Sequence, residues 1–140
     1  MRITLPLDVY GLILEHCRGG LPLEACGLVA GRQSDGLKEI LAAFPVRNAD
    51  ASRSHFSIDP RDQLGAVLAM RAQGLSPLGN FHSHPETPAR PSGEDLRLFV
   101  DRRASYLIVS LAGPRPAIKS FQVSLADGLP VATEEELDIV

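Results

Sequence analysis

The run His82-Ser83-His84-Pro85, followed by Ser92-Gly93-Glu94-Asp95, restricts this chain more than any other stretch. Two histidines two residues apart point their imidazoles to one side when they lie on a strand, because strand side chains alternate with a period of two. The segment after them holds Pro88 and Pro91 and is not helical throughout, since proline and the residue before it resist the α region. A helical pattern follows, with Leu96, Phe99 and Val100 on one face. The expected order is strand, rigid loop, helix. His82 and His84 fall at the strand's end, and Asp95 falls in the helix's first turn. Ten residues separate His84 from Asp95, enough for the chain to fold back and bring the carboxylate to the imidazoles.

Two imidazole nitrogens and one carboxylate oxygen are ligands of the type zinc takes, and a catalytic zinc keeps a fourth tetrahedral place for water. Each piece alone has a plainer explanation. A lone His-x-His is more often a strand or surface feature. Ser92-x-x-Asp95 resembles a capping box, although Glu or Gln is the usual third-position partner. The capping and functional readings are compatible, because a capping Ser92 is also held rigidly near the carboxylate. The conjunction of His-x-His-Pro, the spacing to Asp95 and Ser92 three residues before it favours a metal site.

These residues resemble the signature of the JAMM (MPN-plus) zinc metalloproteases. That family also carries an upstream glutamate in a Pro-x-Glu-x-Cys-Gly context, which Pro22-Leu23-Glu24-Ala25-Cys26-Gly27 matches. The likeness spans about residues 5–125, and the whole chain, residues 1–140, is expected to be one domain of this kind. Without the downstream motif, Glu24 would read as an exposed carboxylate at a strand edge. Asn80 stands where family members often carry an apolar residue.

Length and composition agree with one domain able to bury a core without disulfides. Hydrophobic residues are 44% and charged residues 22% of the chain, and the net charge is −3 with no block of like charges. That argues against nucleic acid as the main partner. Cys17 and Cys26 are the only cysteines, too few for a disulfide framework or a Cys-rich zinc site. No signal peptide or membrane span is read from the N-terminus, where Asp8 and Glu15 interrupt the apolar stretch. The expectation is a cytoplasmic protein.

Along the chain, Met1–Leu5 reads as a short strand. Pro6 opens a helix to about Arg18, with Leu7, Tyr10, Leu14 and Cys17 near one face, and Gly19-Gly20 ends it. Glu24 precedes an apolar strand, Ala25–Gly31, and Arg32–Gly36 is a turn. Leu37–Val46 is a strand, Arg47–Ser54 a polar loop, and Phe56-Ser57-Ile58 a short strand. Asp59-Pro60 starts a helix, continued by Leu64, Val67, Leu68 and Arg71 and stopped by Gly74. Leu78–Ser83 is the histidine-bearing strand and Tyr106–Leu111 a central one. A turn at Gly113–Pro116 leads to a strand, Ile118–Leu125, and Glu134–Glu136 reads as a solvated face or frayed end. The fold class is α/β, a single domain with a mixed sheet flanked by helices, as the resemblance also implies.

The resemblance implies one zinc per chain, held by His82, His84 and Asp95. It implies that Glu24 takes the proton of the attacking water and returns it to the leaving amine, and that Ser92 donates to the developing oxyanion. His55 and His16 read as surface and structural histidines, and Arg90 and Arg97 as solvated charges. The substrates implied are peptide or isopeptide bonds after the C-terminal Gly-Gly of ubiquitin-like proteins, or of β-grasp sulfur carriers for a compact prokaryotic member. The competing reading is a non-catalytic zinc-binding interaction module. A zinc deaminase would need a His-x-Glu and a Pro-Cys-x-x-Cys, and the chain has neither.

Overall fold

The computed structural model describes all 140 residues. In chain order the elements are β1 (Arg2–Leu5), α1 (Leu7–Gly19), β2 (Cys26–Ser34), β3 (Leu37–Val46), α2 (Pro60–Ala72), β4 (Ser76–His84), α3 (Gly93–Leu98), β5 (Ser105–Ser110), β6 (Ala117–Ala126) and β7 (Leu129–Ile139). The strands form one mixed sheet in the order β1-β3-β2-β4-β5-β6-β7. It is a single α/β domain, as expected, and the sheet also closes on itself. Closure comes from β1, which pairs in parallel with both β3 and β7.

Strand β4 lies between β2, antiparallel to it, and β5, parallel to it. Its alternation sets the whole layout. Phe81 faces the main core with Val29, Leu78, Leu107 and Val109, while His82 and His84 face the other side. Helix α1 covers that core through Val9, Ile13 and Cys17. Leu7, expected on the same face, is exposed, because the packing stripe lies one residue round the helix. Neighbouring chain approaches closely at several glycines, Gly31 against Glu39 O among them. A Cβ at Gly79 would run into Ser105 O, and one at Gly27 into the Phe81 ring.

Helix α2 starts as expected: Asp59 caps it by accepting from Arg61 N at 2.8 Å, with Pro60 at the first helical position. Its buried residues, however, are Ala66 and Met70, against Leu28 and Ala30 of β2. Leu64 and Leu68 point to solvent. Ala66 lets the helix approach β2, so the small side chain rather than the leucines marks the inner face.

Four further expectations change. Arg32–Gly36 is not all turn, since β2 and β3 pair out to Ser34 and Leu37 around Asp35-Gly36, with Gly36 at φ 73°. Phe56–Ile58 is not a strand, because no strand lies alongside, and the Ser57 amide donates instead to Asn48 Oδ1 at 3.1 Å. The tail is neither frayed nor wholly solvated. It is β7, with Glu135 buried and Glu134 and Glu136 exposed by alternation. Helix α3 is short, and Val100 lies beyond it in solvent.

Candidate metal centre

The end of β4 and the start of α3 meet where the sequence placed them. His82 Nε2, His84 Nε2 and Asp95 Oδ2 form a triangle with sides of 3.0, 3.0 and 3.2 Å, and all three residues are buried. Ser92 caps α3 by a complete capping box. Its Oγ accepts from Asp95 N, and Asp95 Oδ2 accepts from Ser92 N, both at 3.0 Å. The cap therefore fixes the carboxylate beside the imidazoles. Ser92 Oγ uses only its acceptor side here, and the residue is exposed, which leaves its hydrogen available.

Protonation and spacing test whether these residues fit a metal ion. His84 Nδ1 donates to Pro88 O at 2.8 Å, so in the neutral ring, the form that binds a metal, Nε2 carries the lone pair. That lone pair faces Asp95 Oδ2 and His82 Nε2, each 3.0 Å away. At most one proton, on His82, is available to relieve three crowded acceptors. A zinc with arms of about 2.0–2.1 Å has tetrahedral edges of about 3.3–3.4 Å. The observed spacings lie just inside that, so the residues fit the ion.

The electrostatics follow from burial. Burial drives the His82 pKa down, only partly offset by Asp95. Burial also works against the His84 cation, but hydrogen bonds to Asp95 and Pro88 raise its pKa overall. For Asp95, burial would raise the pKa. Hydrogen bonds from both histidines when protonated, the His82 charge and the Ser92 amide outweigh it and hold the carboxyl well below the usual range. Above His82 the Phe56 ring stacks at 4.5 Å and 22°, and Phe99 meets it edge-on at 6.0 Å. A cavity of about 430 Å³ opens there, lined among others by Phe56, Ile58, Asn80, Leu98, Phe99 and Tyr106. Asn80 Oδ1 is buried in the wall without a partner.

Glu24 lies just before β2. Ala25 N donates to Ser83 Oγ at 2.8 Å and Ser83 N to Ala25 O at 2.9 Å. The residue between the two histidines thus grips the residue after Glu24. Glu24 is 4% exposed, and its Oε1 is buried without a partner. Burial pushes its carboxyl up to about 7; the His84 charge lowers it and the Asp95 charge raises it.

The remaining histidines stand apart from the triangle. His16 Nε2 donates between Cys26 O and Val46 O at 3.0 and 3.1 Å, tying α1 to two strands. His55 pairs with Asp50 at 3.0 Å on a half-exposed loop. Asn48, which sequence reasoning passed over, makes four side-chain hydrogen bonds beside Glu24. Its only sequence signal is an Asn in a polar loop, which marks a turn and nothing more.

A curved mixed sheet presenting two imidazoles, a carboxylate and a buried free acid defines a hydrolase with a three-donor, metal-type centre. The chain belongs to the prokaryotic JAB family: the profile described as "Prokaryotic homologs of the JAB domain" matches residues 6–124. It is 31% identical over 139 residues to the CysO-cysteine peptidase of Mycobacterium tuberculosis, covering 99% of this chain and 91% of the relative. It is 36% identical over 99 residues to the desampylase of Haloferax volcanii, covering 67% and 70%. The solution structure of a Desulfitobacterium hafniense protein superimposes with a TM-score of 0.85 at 47% identity, covering 99% of this chain and 94% of that one. The chain is thus a JAMM-type peptidase. No helix is long and apolar enough to cross a membrane.

Proposed function

We propose that the chain is a zinc-dependent peptidase acting on the peptide or isopeptide bond after the C-terminal Gly-Gly of a ubiquitin-like or sulfur-carrier protein. One observation carries the reading: three buried donors converge on a space of cation size while the buried, partnerless carboxylate oxygen of Glu24 is held alongside. His82, His84 and Asp95 hold one ion. Zinc bound there supplies Lewis acidity, which polarises a carbonyl and acidifies water. Glu24 accepts the water's proton and delivers it to the leaving amine; its buried, partnerless oxygen is available for both steps. The Ser92 hydroxyl hydrogen is free to donate to the developing oxyanion. His84 is oriented by Pro88 O in a loop stiffened by Pro85, Pro88 and Pro91.

Residues 1–140 act as one metallopeptidase domain, with the core at about 5–125. The relatives named CysO-cysteine peptidase and desampylase support a protein-conjugate substrate. The two free, buried thiols, Cys17 and Cys26, suit a reducing cytoplasm. The test is cleavage of a β-grasp sulfur carrier extended past its Gly-Gly, comparing the zinc-loaded protein, the chelated protein and Glu24→Ala. Cutting after Gly-Gly is expected from the first only. Equal cutting by the variant would remove Glu24 as the base. No cutting by zinc-loaded wild type would favour the interaction-module reading.

A further inference from the structure

Asn48, just past β3, uses both its amide hydrogens and its oxygen within the chain. Nδ2 donates to Glu24 O at 3.1 Å and to His55 O at 2.9 Å. Oδ1 accepts from Asp50 N and Ser57 N, each at 3.1 Å. Main-chain bonds add to the tie: Glu24 N donates to Ser52 O at 2.8 Å and Ala49 N to Ser57 O at 2.9 Å. Between His55 and Ser57 lies Phe56, whose ring stacks on His82.

Glu24 precedes the first ladder residue of β2, so the sheet does not fix its own peptide groups. Its N–H is bound to the 48–57 loop, and its carbonyl takes the Asn48 amide. The loop in turn has no strand pairing and closes around the same carboxamide.

We propose that Asn48 is a positioning residue of the reaction: its one carboxamide locks the backbone of Glu24 and the Phe56 ring over His82 into a single unit. The inference rests on the reading of Glu24 as proton acceptor. A base must stand within about 2.6–3.2 Å of the proton it takes, and a misplacement of about 1 Å costs about 10²-fold in rate. The carboxamide matters because both donors and acceptors are used. Asn48→Asp keeps the acceptor side toward Asp50 N and Ser57 N. It replaces the donor toward Glu24 O and His55 O with a second acceptor.

The test compares zinc-loaded wild type and Asn48→Asp in two ways: cleavage of the extended carrier, and hydrogen exchange of individual amides. The variant is expected to keep its zinc and its KM while kcat falls about 10²-fold. The Glu24 amide should lose protection while the Ser57 amide keeps it. Wild-type kcat with a protected Glu24 amide would overturn the proposal, as would a loss carried by KM or by missing zinc. If wild type cleaves no carrier, the functional reading fails separately. Exchange then decides alone: selective deprotection of Glu24 sustains the positioning role, and unchanged protection overturns it. Should Asn48→Asp not fold, Asn48→Ser takes its place; it loses the Oδ1 acceptor as well as the paired donors, so kcat and the Glu24 amide alone are read, with the same outcomes sustaining or overturning the proposal.

Discussion

The barrel wall buries charge on both faces, and the two clusters differ in how fully they are answered. On the inner face Lys38 crosses to donate to Arg103 O and to Ser105 Oγ at 2.8 Å, and Ser120 donates to Glu135 Oε1 at 2.9 Å. Glu135 Oε2 has no hydrogen-bond partner, but an opposite charge faces it: the Glu135 carboxylate opposes the lowering of the Lys38 pKa by burial. On the outer face three acceptors crowd together, and Glu24 Oε1 and His82 Nδ1 have no partner at all. Buried polar groups normally answer one another. A cluster that sets a cation and donors against its carboxylate serves the fold. One that leaves its acceptors converging is held ready for something the chain does not contain.

The sharpest way to break this comparison is to remove one member from each side. Glu24→Gln is expected to lower kcat by about 10²–10⁴-fold, the range for loss of a general base, without lowering Tm. Lys38→Met should do the reverse. Each charged hydrogen bond lost costs about 1.5–3 kcal/mol of stability, while turnover per folded molecule is kept. Kinetics and thermal melts on both variants decide the matter. If Glu24→Gln melts as early as Lys38→Met, the outer cluster is structural too.

Zinc titration sharpens the contrast next. An ion that binds only the folded state at a thousandfold excess over Kd adds about 4 kcal/mol, roughly 10 °C in Tm for a chain of this size. Wild type should show that upward shift, and Asp95→Ala should not. A shift that survives in Asp95→Ala would put the ion elsewhere.

The ligand side of the outer cluster was legible in the sequence because its chemistry is local and periodic, whereas Glu24 was read through the resemblance to the JAMM signature. His82 and His84 share a strand face, and Ser92 and Asp95 share a helix turn, so spacing alone places them. The inner cluster was not legible. Glu135 sits among three acids and reads as solvent-facing until β1 is seen to pair with β7. That closure joins strands from opposite ends of the chain, and no short window carries it. Asn48 was missed for the same reason, because the carbonyl of Glu24 that it holds lies 24 residues away. The leucines of α2 misled because Ala66 and Met70, on another side of the helix, form its contact face.

The smallest effect expected is a pH dependence within the outer cluster, where Glu24 and Asp95 differ in sign. In the chelated protein burial raises the Glu24 carboxyl to about 7, against about 4.3 in an unfolded chain. Between those values the folded state holds more protons than the unfolded one, so stability falls as pH rises. The contribution is complete below about pH 4.3 and gone once pH passes about 7. Asp95 has the opposite sign, since its carboxyl is held below the usual range and its contribution is lost on acidification. Both chains in a comparison of wild type with Glu24→Gln retain Asp95, so its effect cancels. The Tm of wild type minus that of Glu24→Gln should therefore decline across this window and then level off. Zinc, a cation beside Glu24, should flatten the decline by favouring the ionised carboxylate. A difference already flat in the chelated protein would mean that Glu24 is solvated, and the contrast between a charge-balanced cluster and one of converging acceptors would lose its central residue.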